Sequence, residues 1–259
     1  MITSLSISDS NLSHAWARAF LATFEKGGDT RHPSVVVINN LDDGNLLENM
    51  CIRERLDKEL SSHNLSLCKT VSNTIFPSSL WNMNSSTDSI DLFTRYEKAW
   101  PGIKKCPANK NGVYFRRLTS YQPKDRTTGP VNQLQSVIDT YQSGNHRKSA
   151  LQASIFDPTR DHSDQRQRGF PCLQQVSFTP LPNDKLSITG VYATQLQFEK
   201  AYGNYLGLYW LGRFMAKHLG LTLTQVICMS SVVQRSHHEK TKAILTPFSE
   251  DIFTMLPST

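Results

Sequence analysis

The sequence predicts a single α+β domain organised around one long buried helix. Three observations carry this expectation. Residues 198–219 are apolar almost all the way round at helical spacing, the pattern of a core helix rather than a surface one. Just before them, Leu173–Thr179 and Leu186–Tyr192 are strand-like runs either side of Leu181-Pro182-Asn183-Asp184, a hairpin signal. Helical and strand patterns alternate along all 259 residues with no internal repeat and no linker, so residues 1–259 are expected to form one domain.

Each element has its own signal. Leu12, Ala15, Trp16, Ala19, Phe20 and Phe24 recur at helical spacing over residues 12–26, with Gly27-Gly28 as the stop. Ser34–Ile38 is a β-branched run and predicts a strand. Leu46–Glu59 fits a second helix with Arg53, Arg55 and Lys58 opposing Glu54, Asp57 and Glu59. Residues 77–91, rich in Ser and Asn around Trp81, and residues 119–131 predict polar loops. Val131–Gln142 carries Leu134, Val137, Ile138 and Tyr141 on one helical face. Gln152–Arg168 has few apolar residues and predicts an exposed loop. Beyond the long helix, Thr224–Met229 predicts a strand, followed by a polar helix or tail.

Composition narrows the function classes. A charged fraction of 19% against 38% hydrophobic residues is that of an ordinary globular protein. No apolar run approaches the ~20 residues that cross a bilayer, and the N-terminus lacks the basic start and apolar stretch of a signal peptide. No membrane partner and a cytoplasmic location are therefore expected. The net charge of +6 suits an anionic ligand, but no nucleic-acid-binding signature accompanies it, so nucleic acid is not the expected partner. Five widely spaced cysteines without a C-x-x-C pair predict reduced thiols. His237-His238-Glu239 lacks a third ligand at a convincing spacing, so no metal is expected.

Cys172 is the candidate nucleophile. A thiolate is accessible near neutral pH and polarisable, and here Pro171 precedes it while Arg160, Arg166 and Arg168 lie upstream to lower its pKa. The alternative is an ordinary packed cysteine. Trp81, Trp100 and Tyr114 are candidates to line a ring pocket, or simply to pack.

The order Pro171-Cys172, strand, turn, strand and long apolar helix resembles the thymidylate synthase and pyrimidine nucleotide C5-hydroxymethylase family. Leu12-Ser13-His14-Ala15-Trp16 is similar to the family's first helix, Gly112-Val113-Tyr114 to its Gly-x-Tyr motif, and Phe156-Asp157-Pro158 to its Trp-Asn-Pro. Gln133 falls where the family has an Asp-Gln pair. Arg147 and Lys148 fall where it carries two arginines that cross a dimer interface to the partner's phosphate. The resemblance implies a thymidylate-synthase-like fold with a large mixed sheet, a homodimer, a pyrimidine nucleotide or nucleoside as substrate, and 5,10-methylenetetrahydrofolate as cofactor. On it, Cys172 adds to C6 of the ring, Tyr114 and Asn73 support the ring, and Trp81 lines the folate site.

The departures define a second expectation. The family's histidine after the nucleophile is Leu173. Its Tyr-Gln-Arg-Ser-x-Asp run is Tyr192-Ala193-Thr194-Gln195-Leu196-Gln197, so the substrate-binding positions hold Thr194, Gln195 and Gln197. The asparagine that reads the pyrimidine falls at Tyr205, with Asn204 its neighbour. The early catalytic glutamate falls near Val71–Ile75, where Asn73 hydrogen-bonds but cannot act as a general base. Two readings follow. One is methylation or hydroxymethylation at C5 of a non-standard pyrimidine. The other is a catalytically inactive protein of the same fold serving as a nucleotide-binding or protein-interaction subunit.

Overall fold

The computed structural model describes residues 4–257 except 26–29, 32, 42–43, 84–88, 123–128, 145, 163, 165–169 and 237–240. Gly27-Gly28, Arg166, Arg168 and the His237-His238-Glu239 run therefore lie outside the described residues. The elements in order are β1 (Leu5–Asp9), α1 (Leu12–Ala22), β2 (Thr30–Arg31), β3 (Ser34–Ile38), α2 (Met50–Ser62), α3 (Cys68–Ile75), α4 (Ser89–Lys105), α5 (Tyr114–Thr119), α6 (Gln133–Gln142), β4 (Gln152–Ser154), α7 (Pro158–Asp161), β5 (Leu173–Leu181), β6 (Lys185–Leu196), α8 (Tyr202–Leu219), β7 (Thr222–Gln234) and α9 (Thr241–Thr254). The class is α+β, with one mixed sheet. Among the described residues no helix is long and apolar enough to cross a membrane.

Local chemistry sets the element ends. The side chains of Asn11, Asn49 and Asn132 accept backbone N–H groups at the starts of α1, α2 and α6. The hairpin between β5 and β6 turns through Asn183 and Asp184, both at left-handed φ, as the expected turn requires. Gly220 closes α8 with φ +69°, a conformation that penalises any residue with a Cβ.

The strand order is β1-β3-β7-β6-β5-β4, with β2 pairing β7 beside this path. β1–β3 and β6–β7 are parallel; β3–β7, β5–β6 and β4–β5 are antiparallel. Cross-strand register divides the faces. Val36, Cys228, Gly190, Val176 and Ala153 form one row, all buried. The adjacent row, Val35, Met229, Val191 and Gln175, lies on the opposite face and is half-buried or exposed, as is the row Val37, Ile227, Thr189 and Ser177.

Helix α8 lies on the buried face. A Cβ at Gly190 would come within 2.7 Å of Leu208, and one at Gly212 within 2.9 Å of Leu223, so these glycines let the helix sit down on β6 and β7. On its other side α8 takes α3: Gly203 and Gly207 leave room for Val71 and Ile75. The expected all-round burial of residues 198–219 follows from this sandwiching, though the segment opens with a π-helical turn, Gln197–Ala201, before α8 proper.

Several expectations change. The stretch 152–168 is not an exposed loop throughout: it holds β4 and α7, and Asp157 and Asp161 are buried. Arg117 from α5 pairs with Asp161 and Arg160 with Asp157, supplying the partners that buried carboxylates need. The loop expected at 77–91 ends earlier, with α4 beginning at Ser89. The tail is helix α9, which buries Leu245, Phe248 and Ile252.

Candidate active site around Cys172

Phe170-Pro171-Cys172 enters β5 under tight local control. Gln174 Nε2 donates to the Pro171 carbonyl at 2.7 Å and to that of Cys172 at 3.2 Å. Ala193 N donates to the Cys172 carbonyl at 2.9 Å, tying the segment to β6. The Phe170 ring stacks on Tyr114 with centroids 5.2 Å apart and planes at 24°. Gly112 makes room for it, since a Cβ there would lie 2.7 Å from the ring. Tyr114 is the start of α5, and the backbone N–H groups of Leu173 and Cys172 face its phenol oxygen.

The Cys172 side chain is half-buried and free. Burial pushes its thiol up, and Lys200 opposes that shift. Burial in turn pushes the Lys200 amine down, against Glu199 and the Cys172 thiolate. Among the described residues the cation acting on the thiol is thus Lys200; of the upstream arginines, Arg160 is engaged elsewhere, and Arg166 and Arg168 lie outside the described residues. Arg160 is bonded to Asp157 at 2.6 Å, where hydrogen bonds from Thr159 and Arg160 outweigh burial and hold the carboxyl down to about 2. Sequence reading passed over Lys200, because Phe198-Glu199-Lys200 looked like one more helical turn. The π-helical turn at the end of β6 carries the lysine, which is within electrostatic reach of Cys172.

A buried polar group lies behind the thiol. Tyr192 is fully buried and sits within electrostatic reach of Cys172, Tyr114, Tyr205 and Cys228. Gln195 Oε1 accepts from Ser230 Oγ at 2.7 Å and from Cys228 Sγ at 3.3 Å. Gln197 Nε2 meets the Tyr205 hydroxyl at 3.5 Å, while its backbone carbonyl accepts from Trp16 Nε1 at 2.9 Å. Three buried polar atoms in this group have no hydrogen-bond partner among the described residues: Tyr192 Oη, Gln195 Nε2 and Gln197 Oε1. One donor, one acceptor and one hydroxyl are thus left unpaired inside the fold.

The remaining expected site residues spread outward. Thr194 is half-buried beside Val232 of β7, and Asn204 is buried on the first turn of α8. Asn73 accepts from Ser78 Oγ at 3.4 Å. Trp81 packs against Phe76, Trp210 and Phe214, with centroids 5.5–6.5 Å away. Phe214 is about 14 Å along α8 from Tyr205 at ~1.5 Å per residue. Arg147 and Lys148 are exposed at the entry to β4, where the Leu151 carbonyl accepts from Phe178 N. Phe178 is about 20 Å along β5 from Cys172 at ~3.3 Å per residue. The structure therefore joins Cys172, Tyr114, Gln195, Gln197 and Tyr205 into one neighbourhood. It leaves Trp81, Arg147 and Lys148 outside it.

Two surface clefts lie elsewhere, one lined by Met83, Arg213, Lys217 and Leu223, the other by Asn39, Leu181, Lys185 and Gln225. Among the described residues no cluster of His, Cys, Asp and Glu is arranged to hold a metal. Comparison with known proteins finds no family model that matches this chain and no curated protein that matches it.

Proposed function

We propose that this chain is a thymidylate-synthase-like protein whose Cys172 adds to C6 of a pyrimidine nucleotide or nucleoside other than deoxyuridylate, priming C5 for methylation or hydroxymethylation. The observation that carries the reading is the half-buried thiol with Lys200 beside it and the phenols of Tyr114 and Tyr192 within electrostatic reach. An ammonium favours the thiolate, the form that attacks carbon. As the C–S bond forms, the C5–C6 π pair moves onto C5 and the conjugated ring oxygen. The unpartnered Gln195 Nε2 is a donor suited to that oxygen, and Gln197 Oε1 an acceptor suited to a ring N–H. Protonation of C5 from solvent and then loss of its original proton restore the enolate, whose pair returns to re-form the C5–C6 double bond and expel the thiolate, leaving the ring with an exchanged C5 hydrogen.

On the family resemblance the carbon donor is 5,10-methylenetetrahydrofolate. Trp81, the residue expected to line its site, is engaged by three aromatic neighbours toward the far half of α8 and does not fit that role beside Cys172. A homodimer is supported by the uncovered sheet face, where Met229, Val191, Val35 and Ile227 stand on the side away from α8. It is also supported by Arg147 and Lys148, which are exposed before β4, next to the end of β5 away from Cys172 of their own chain.

The test is tritium release from C5 of a panel of labelled pyrimidine nucleosides and nucleotides, with and without methylenetetrahydrofolate. Release that disappears in Cys172→Ala is the expected result. No release from any substrate would overturn the reading in favour of a catalytically inactive protein of this fold.

A further inference from the structure

Among the described residues Arg117 brings its guanidinium against the Cys172 segment, over the Phe170 ring. Its Nη1 and Nη2 each donate to Asp161 at 2.8 Å, and Nη1 also donates to the Ile155 carbonyl at 2.9 Å. The Asp161 side chain is fully buried and also accepts from Asp157 N at 2.7 Å, so the fork is anchored at both ends. Three donated bonds fix the plane of the guanidinium, and the fixed plane sits over the Phe170 ring at 5.1 Å. That same ring stacks on Tyr114. Phe170 precedes Cys172 by two residues with a proline between them, so a displaced ring moves the thiol.

We propose that Arg117 is a positioning residue for Cys172, acting through Phe170 and Tyr114 to hold the thiol beside Lys200. The inference rests on the reading of Cys172 as a nucleophile. A lysine keeps the charge at this position but lacks the planar fork, so it cannot both grip Asp161 at two points and face the ring.

The experiment is site-resolved alkylation of the full chain by iodoacetamide from pH 6 to 10, with Cys172 followed by mass spectrometry. The group acting on its thiol is Lys200 from the π-helical turn, while the phenols of Tyr114 from α5 and Tyr192 from β6 feel the Cys172 charge in turn. In Arg117→Lys the Cys172 profile is expected to move up by about one pH unit, which is about a tenfold slower reaction at pH 7. Phe170→Leu is expected to do the same, and the double variant to be no worse than either alone, because both act along one path. An unmoved profile in Arg117→Lys, or additive effects of the two substitutions, would overturn the proposal. So would faster labelling of the buried Cys68 and Cys228 in place of a Cys172 shift, which signals general loosening. Should Arg117→Lys fail to fold, Phe170→Leu decides alone: an unmoved profile there overturns the proposal. Failure of C5 exchange with the shifts intact would sink the pyrimidine reading and leave the positioning role standing.

Discussion

At Cys172 two opposing effects meet on one atom: burial disfavours the thiolate and Lys200 favours it. Removing the cation leaves burial unopposed, so the sign of the outcome is fixed. In Lys200→Met the thiol pKa rises further, and alkylation below that pKa slows in proportion to the lost thiolate, about tenfold at pH 7 for a one-unit rise. Lys200→Arg keeps the charge and is expected to keep most of the rate. Stopped-flow reaction of each variant with a disulfide reagent across pH 6–10, in a background lacking the exposed Cys51 and Cys106, reads this directly. A Lys200→Met profile that overlays the parent would show that the lysine does not act on the thiol. Cys172 was legible in the sequence because its Pro-Cys step and hairpin are contiguous. Lys200, Tyr192 and the buried Asp161 were not. Their importance comes from a π-helical turn and from an arginine 44 residues upstream of that aspartate, neither of which leaves a local pattern.

At the scale of elements, the strongly periodic segments were legible and the tight contacts between them were not. The strand Ser34–Ile38 and the helix ending at Gln142 match their expected limits closely, because their apolar residues repeat on one face. By contrast β1 and α4 were not anticipated: β1 is five residues of alternating, largely polar sequence, and most of α4 faces outward. Nothing in the sequence announced that α3 would lie directly on α8. The structure explains it by Gly203 and Gly207, the positions where two helix backbones approach. A Cβ at Gly203 would stand 2.5 Å from Val71 Cβ and 2.7 Å from the Cys68 carbonyl, and a backbone atom cannot rotate away. Gly203→Ala is therefore expected to cost about 2 kcal/mol or more despite the better helix propensity of alanine. Gly102→Ala in α4 meets nothing within 4 Å and is expected to gain about 0.5–1 kcal/mol. Paired urea denaturation curves check both. Equal effects at the two glycines would show that α3 can shift on α8.

At the scale of the molecule, one face of the sheet lies under helices and the other, among the described residues, is half-buried to exposed, the face on which the proposed dimer would form. Its rows run Val35, Met229, Val191, Gln175 and Val37, Ile227, Thr189, Ser177, with Met229 42% exposed at their centre. In a two-fold pairing of such faces a residue near the axis meets its own copy, so a charge introduced at the centre of the patch meets a like charge or is buried against apolar residues. Met229→Glu is expected to convert a dimer to monomer in sedimentation velocity, and a parent that is monomeric at every concentration would remove the dimer from the reading. The dimer also makes a sharper claim about Arg147 and Lys148, which are exposed in the turn before β4, next to the end of β5 away from Cys172. If these cations serve the partner's site, a chain with Arg147→Ala and Lys148→Ala and a chain with Cys172→Ala are each inactive alone. Mixed after exchange of subunits, half of the dimers carry one chain of each kind. In every such dimer the intact Cys172 of one chain faces the intact Arg147 and Lys148 of the other. About one quarter of all sites is then whole, and C5 exchange returns to about a quarter of the parent rate. No recovery on mixing would mean that each chain supplies its own anion contacts and that the two cations are solvent-facing residues of the turn before β4.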